Sequence, residues 1–151
     1  MTAPASPRGR ILVVDDDHYT RDVTVRLLRL KGYETLEAED GPQCLDMVQR
    51  EPIDLILLDV MMPGMDGFQV CAALRELERG KALPVILLTA RDDLEARREG
   101  MHQGVSEYLV KPISSHELYA RVHAQLHIVG LTRALERVEQ NLTSSSRFTG
   151  R

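Results

Sequence analysis

Asp15 and Asp16 stand side by side after the apolar run Ile11-Leu12-Val13-Val14, and Asp59 closes a second run, Leu55-Ile56-Leu57-Leu58. With both runs as buried parallel strands, three carboxylates meet at one edge of a sheet. Like charges held that close repel by several kcal/mol unless a cation or a proton relieves them. The pattern therefore points to a divalent-metal site.

The elements that must position these groups follow from the pattern of apolar runs. Strands are predicted at Arg10–Val14, Glu34–Ala38, Leu55–Asp59, Val85–Thr89 and Glu107–Val110. The first, third and fourth are almost purely Ile, Leu and Val, as in strands covered on both faces. The second is short and polar, which suits an edge. Helical stretches lie between them. Asp40-Gly41-Pro42-Gln43 and Asp92-Asp93-Leu94-Glu95 open with acidic caps, and Ser114-x-x-Glu117 has capping-box form. Gly32, Gly80 and Gly104 stand where glycine stops belong. Strand and helix in alternation, joined by short connections, give an α/β fold, a doubly wound five-stranded parallel sheet with right-handed crossovers.

Ligands of such sheets bind beyond the carboxyl ends of the strands. At that edge the strands deliver Asp15 and Asp16, then Asp59, then Thr89, then Lys111-Pro112. Carboxylates, a hydroxyl and an ammonium converge.

Four segments together carry a resemblance: Val13-Val14-Asp15-Asp16-Asp17, Leu57-Leu58-Asp59 through Asp66-Gly67, Leu88-Thr89-Ala90, and Tyr108-Leu109-Val110-Lys111-Pro112. In order and spacing they resemble the receiver domain of two-component response regulators, over roughly Arg10 to His127. The resemblance implies the flavodoxin-like strand order 2-1-3-4-5. It also implies that Asp59 is the phosphoacceptor, taking a phosphoryl group from a histidine kinase or phosphotransfer protein. A carboxylate is a competent nucleophile for this because the acyl phosphate it forms can later be cleaved by water. By the same resemblance Mg²⁺ is bound by Asp16, Asp59 and the backbone carbonyl of Met61, with Asp15 acting mainly through metal-bound water. Thr89 donates to a phosphoryl oxygen and Lys111 pairs with another. Thr89 and Tyr108 form the switch, repacking the face made by the fourth helix, fifth strand and fifth helix. Arg91 and Met61 occupy positions that tune phosphate lifetime, and the peptide before Pro112 is commonly cis. The implied role is a signalling switch, not an enzyme, assisting only its own phosphorylation and dephosphorylation.

Lys111 has support from composition. The chain holds 16 arginines and three lysines, so a cation chosen for charge alone would be arginine. Lys31 and Lys81 lie near helix ends, where the dipole explains them; Lys111 lies between a strand and a proline. A compact ammonium suits a small anion site better than a planar guanidinium.

Competing readings meet specific obstacles. Asp16 or Asp17 could serve as a helix cap. A haloacid-type phosphatase needs an aspartate two residues past its nucleophile, and position 61 is Met. A flavin carrier needs a hydroxyl-rich phosphate loop after the first strand, not an acidic pair. A nucleotide-triphosphatase needs a glycine-rich Lys-Ser/Thr loop, which is missing. The nearest alternative is a degenerate receiver, a protein-interaction module independent of phosphorylation. Met61, Met62 and Met65 read as loop packing, and His123 and His127 as helix surface.

With 151 residues, 43% hydrophobic, the chain can bury a core. A formal net charge of -4 gives no general case for nucleic-acid binding. Cys44 and Cys71 have no metal-type spacing and read as thiols of a reducing cytosol. No apolar stretch approaches a membrane span, and the expected location is cytoplasmic. The expected organisation is a disordered lead-in (1–9), the receiver (10–127), a C-terminal helical extension (128–142) and a disordered tail (143–151). In the extension Ile128, Leu131, Leu135, Val138 and Leu142 repeat at three and four residues, a heptad seam. It is expected to pair in a homodimer, to fold back on its own domain or to fray. Homodimerisation through the face of the fourth helix, fifth strand and fifth helix is the other expectation. Either the chain is a single-domain regulator or an output module follows its linker helix.

Overall fold

A computed structural model of the protein describes residues 8–90 and 104–149, with side chains as far as residue 142. In chain order these are β1 (Arg10–Val14), α1 (His18–Leu30), β2 (Glu34–Ala38), α2 (Gly41–Arg50), β3 (Leu55–Asp59), α3 (Gly67–Arg75), β4 (Val85–Thr89), β5 (Glu107–Val110) and α4 (Ser115–Thr149). The helix expected to begin at Asp92, and Arg91 with it, lie outside the described residues.

All pairings are parallel and the strand order is β2-β1-β3-β4-β5, as expected. Side-chain alternation along the strands divides the core into two layers. Leu12, Val14, Ile56, Leu58, Val85 and Leu87 pack with Cys44 and Val48 of α2 and Val70 and Leu74 of α3. Ile11, Val13, Leu55, Leu57, Ile86, Leu88 and Leu109 pack with Val25 and Leu28 of α1 and Leu118 and Val122 of α4. Burying each such side chain stabilises the fold by about 1.5–3 kcal/mol. β3 and β4 are buried along their whole lengths, whereas β2 alternates and forms an edge.

The helix starts are set by side chains. Asp17, Asp40 and Asp66 cap α1, α2 and α3 by accepting from Thr20, Gln43 and Gln69 N–H groups, each at 2.9 Å. Gln69 Oε1 returns a contact to Asp66 N–H, completing a capping box. Ser114 Oγ accepts from Glu117 N–H at 3.1 Å at the start of α4.

Several local features add to or correct these expectations. In the lead-in, Arg8 donates to the Lys31 carbonyl and lies over the Tyr33 ring, and the Gly9 carbonyl accepts from Glu34 N–H. α4 runs to Thr149, beyond the 128–142 extension expected, and neither glycine nor proline stands between Gly130 and Gly150. Gly32 does end α1 with φ +87°, but Gly80 is not a left-handed stop. It follows α3 by several residues, and a Cβ there would lie 2.3 Å from the Leu74 carbonyl oxygen. Gly67 is the first residue of α3.

Cys44 and Cys71 are both buried and free, and burial pushes the Cys44 thiol up to about 12. Met62 is buried and Met65 packs against the core, while Met61 is exposed. His123 and His127 stack on the exposed side of α4. Among the described residues no helix is long and apolar enough to cross a membrane.

Candidate functional site

Strand register builds the site. Val14 pairs with Leu58, so Asp15 leaves β1 beside Asp59 at the end of β3. Asp59 pairs with Leu88, which brings Thr89 one step further along β4. Thr89 pairs with Val110, and Lys111 follows, its N–H donating to the Thr89 carbonyl at 2.8 Å. Three adjacent strand ends and the β5 terminus thus open onto one depression, in agreement with the sequence.

Asp15, Asp16 and Asp59 each offer a carboxylate oxygen to a cluster whose atoms lie within 4.8 Å of one another. Asp15 and Asp59 are buried, at 2% and 4% exposure, and Asp16 is exposed. Burial raises the pKa of both buried carboxyls above the ordinary value of 3.8. For Asp15 the Asp17 N–H opposes this rise, and for Asp59 Lys111 does. Two buried acids and one exposed acid with all-oxygen donors fit a hard divalent cation that retains water. The cluster suits Mg²⁺.

Lys111 Nζ donates to Asp59 Oδ1 at 2.9 Å and lies 4.0 Å from Asp15 Oδ2. The Lys111–Pro112 peptide is cis. Met61 contributes through its backbone: its N–H bonds the Asp59 carboxyl and holds that acid's pKa down. Its side chain is exposed at the mouth of the site. Thr89 is buried at the end of β4. Tyr108 is half-buried on β5 and packs against the α2/α3 core layer. The competition between capping and site chemistry in the first loop is settled by division of labour. Asp17 takes the cap, leaving Asp15 and Asp16 for the cluster.

Two residues with a part in this geometry were missed by sequence reasoning. Arg21 is buried in α1 and donates to the Asp15 carbonyl at 2.7 Å and to Glu37 Oε1 at 3.0 Å, with His18 Nδ1 at 3.2 Å. It ties the β1–α1 turn to β2 and so fixes the backbone that carries the acidic pair. The signal was present, since an arginine on the apolar flank of an amphipathic helix must find partners. The other is Gly67. Its N–H donates to the Val60 carbonyl at 2.9 Å, and a Cβ would lie 2.7 Å from the Asp59 carbonyl oxygen and 2.8 Å from Val60 Cα. Only glycine lets α3 start this close to the end of β3.

Residues 11–123 match the family model described as the response regulator receiver domain. The response regulator MprA of Mycobacterium leprae is 45% identical over 117 residues, covering 78% of this chain and 50% of that protein. The chain spans about half the length of the curated relatives it matches. A putative response regulator from Chloroflexus aurantiacus superposes with TM-score 0.76 at 34% identity, covering 81% of this chain and 99% of that one. The receiver domain of the sensor histidine kinase PA1611 from Pseudomonas aeruginosa superposes with TM-score 0.74 at 30% identity, covering 79% and 98%. That structure has a magnesium ion coordinated in its active-site cleft.

Proposed function

The chain belongs to the response regulator receiver family, and on that premise we propose that Asp59 is its phosphoacceptor, receiving a phosphoryl group from a histidine kinase or phosphotransfer protein. The observation that carries this reading is the convergence of a buried Asp59 with Asp15, Asp16 and Lys111 at one sheet edge.

Asp59 carboxylate oxygen attacks the phosphorus of a phosphohistidine. The P–O bond forms as the P–N bond breaks, and the leaving imidazole takes a proton. Asp16, Asp59 and the Met61 carbonyl would hold Mg²⁺, with Asp15 acting through water, and the cation would supply positive charge to offset the carboxylates and the incoming phosphoryl group. Lys111 releases its contact with Asp59 to pair with a phosphoryl oxygen, and Thr89 donates to another. The protein's contribution is positioning and charge neutralisation.

Phosphorylation adds nearly two negative charges and strong acceptor oxygens. Thr89 moves toward them and Tyr108 fills the space left, so the modification biases a two-state element around β5. The output is borne by whatever docks on that face, in the manner of a signalling domain rather than an enzyme.

The test is mass spectrometry after incubation with acetyl phosphate and Mg²⁺. The wild-type chain gains one phosphoryl group and Asp59→Asn gains none. Retention of the added mass in Asp59→Asn would remove the nucleophile assignment.

A further inference from the structure

The last helix carries an apolar stripe that its own domain leaves bare. Ile128, Leu131, Leu135, Val138 and Leu142 are 53%, 54%, 64%, 53% and 64% exposed. Their spacing makes them alternate a and d positions of consecutive heptads. Arg133 then falls at position f, on the far side of the helix, and its Nη2 lies 3.2 Å from Asp54 Oδ1. Asp54 is itself anchored: its Oδ2 accepts the Arg10 N–H at 2.8 Å, and its own N–H donates to the Arg10 carbonyl at 2.8 Å. Val129 and Thr132 join Arg133 in lining a cleft of about 730 Å³ between α4 and the start of β3. Ile128, at the start of the seam, also lines this cleft, whereas Leu131, Leu135, Val138 and Leu142 do not. Folding back does not account for the seam beyond Ile128.

We propose that a second copy of this chain covers the seam, the two α4 helices pairing about a two-fold axis. The inference stands independently of the phosphoacceptor reading. A seam spaced at three and four residues is self-complementary under left-handed supercoiling, so an identical helix is the matching partner. The flanking e and g positions are Thr132, Ala134, Glu139 and Asn141. They set no run of like charges against the approach. A seam of only two heptads is shorter than that of a self-sufficient coiled coil and falls below the roughly 800 Å² per partner of a standard stable interface, so the dimer is reversible and concentration-dependent.

Sedimentation equilibrium of the full, unphosphorylated chain across low to high micromolar concentration tests this. The wild type shifts from monomer to dimer, and Leu135→Glu at the middle of the seam weakens association at least about tenfold. Arg137→Ala, at the polar position c, leaves it unchanged. Leu135 is exposed, so circular dichroism of Leu135→Glu at low concentration reports an intact fold. Leu135→Cys forms an interchain disulfide on mild oxidation, with Cys44 and Cys71 buried and out of reach. A wild type that stays monomeric throughout overturns the proposal. So does a Leu135→Glu variant that associates like wild type, or an Arg137→Ala variant that is weakened equally.

Discussion

Lys111 and Asp59 form an ion pair across 2.9 Å that joins the end of β5 to the end of the central strand β3. The carboxylate is buried while the ammonium is about one-third exposed, so a partly solvated charge stands beside buried acids. The lysine acts as a resident counter-charge for acids that would otherwise repel.

Removing that counter-charge has a measurable cost. Lys111→Ala lowers the stability of the metal-free protein by about 1–3 kcal/mol, because Asp59 keeps its burial and loses its charged donor. Mg²⁺ restores part of the loss, since the cation takes over the neutralising role. Urea unfolding with and without Mg²⁺ checks both. Identical midpoints for variant and wild type in metal-free buffer would contradict the idea.

The pH dependence follows from Asp15 and Asp59, whose folded-state values lie above the unfolded value near 3.8. Groups raised in this way contribute stability that is complete below 3.8 and is lost as pH rises through the folded-state values. Asp17 behaves oppositely. The Thr20 hydroxyl and N–H lower its pKa, so its contribution is present above 3.8 and lost as pH falls through the lowered value. Metal-free protein is therefore expected to gain stability from Asp15 and Asp59 as pH falls through their raised folded-state values. Mg²⁺ affinity falls over the same range because protons compete for Asp15 and Asp59. Asp15→Asn flattens the acid gain and raises metal-free stability above the folded-state value, because the amide carries no buried charge. Scanning calorimetry across pH, with and without Mg²⁺, reads all three; a melting temperature that only falls on acidification would refute the burial argument.

Arg21 offers a test of how the acidic pair is held. Arg21→Ala strands the Asp15 carbonyl and Glu37, costing about 2–4 kcal/mol. With the turn loosened, Mg²⁺ affinity drops about tenfold, the usual scale for a group that orients a ligand. Arg21→Lys recovers little of either, because one ammonium cannot reach three partners on separate elements. Titration calorimetry of Mg²⁺ beside urea unfolding separates the two effects. Unaltered Mg²⁺ affinity in Arg21→Ala would confine the residue to a packing role.

Much of this architecture is legible in the sequence because the informative positions are short-range. Uninterrupted Ile, Leu and Val runs announce β1, β3 and β4, and the residue ending each run is automatically at the ligand-binding edge. Asp40 and Ser114 cap helices through contacts three residues away. What escaped is long-range. The Arg21 contact to Glu37 and the Arg133 contact to Asp54 link residues 16 and 79 positions apart. Gly80 looked like a stop glycine and Gly67 gave no signal of its own, yet each answers to backbone brought near by packing. The end of the last helix was not legible either, since Ser and Thr lower helix propensity by only tenths of a kcal/mol each, too little to mark where a helix nucleated by packing upstream stops.

The close approach of Gly67 to Asp59 has a consequence for how this domain can diversify. The Val60–Asp66 segment leaves and re-enters the body at one place, like the handle of a cup, with Val60 and Gly67 clasped together at its base. Met61, Pro63 and Gly64 lie exposed along the handle. Pro63 at the exposed tip can vary while the clasped base keeps the Asp59 carboxylate at the end of β3, so the outer surface of the handle and the geometry of the acidic cluster can change separately.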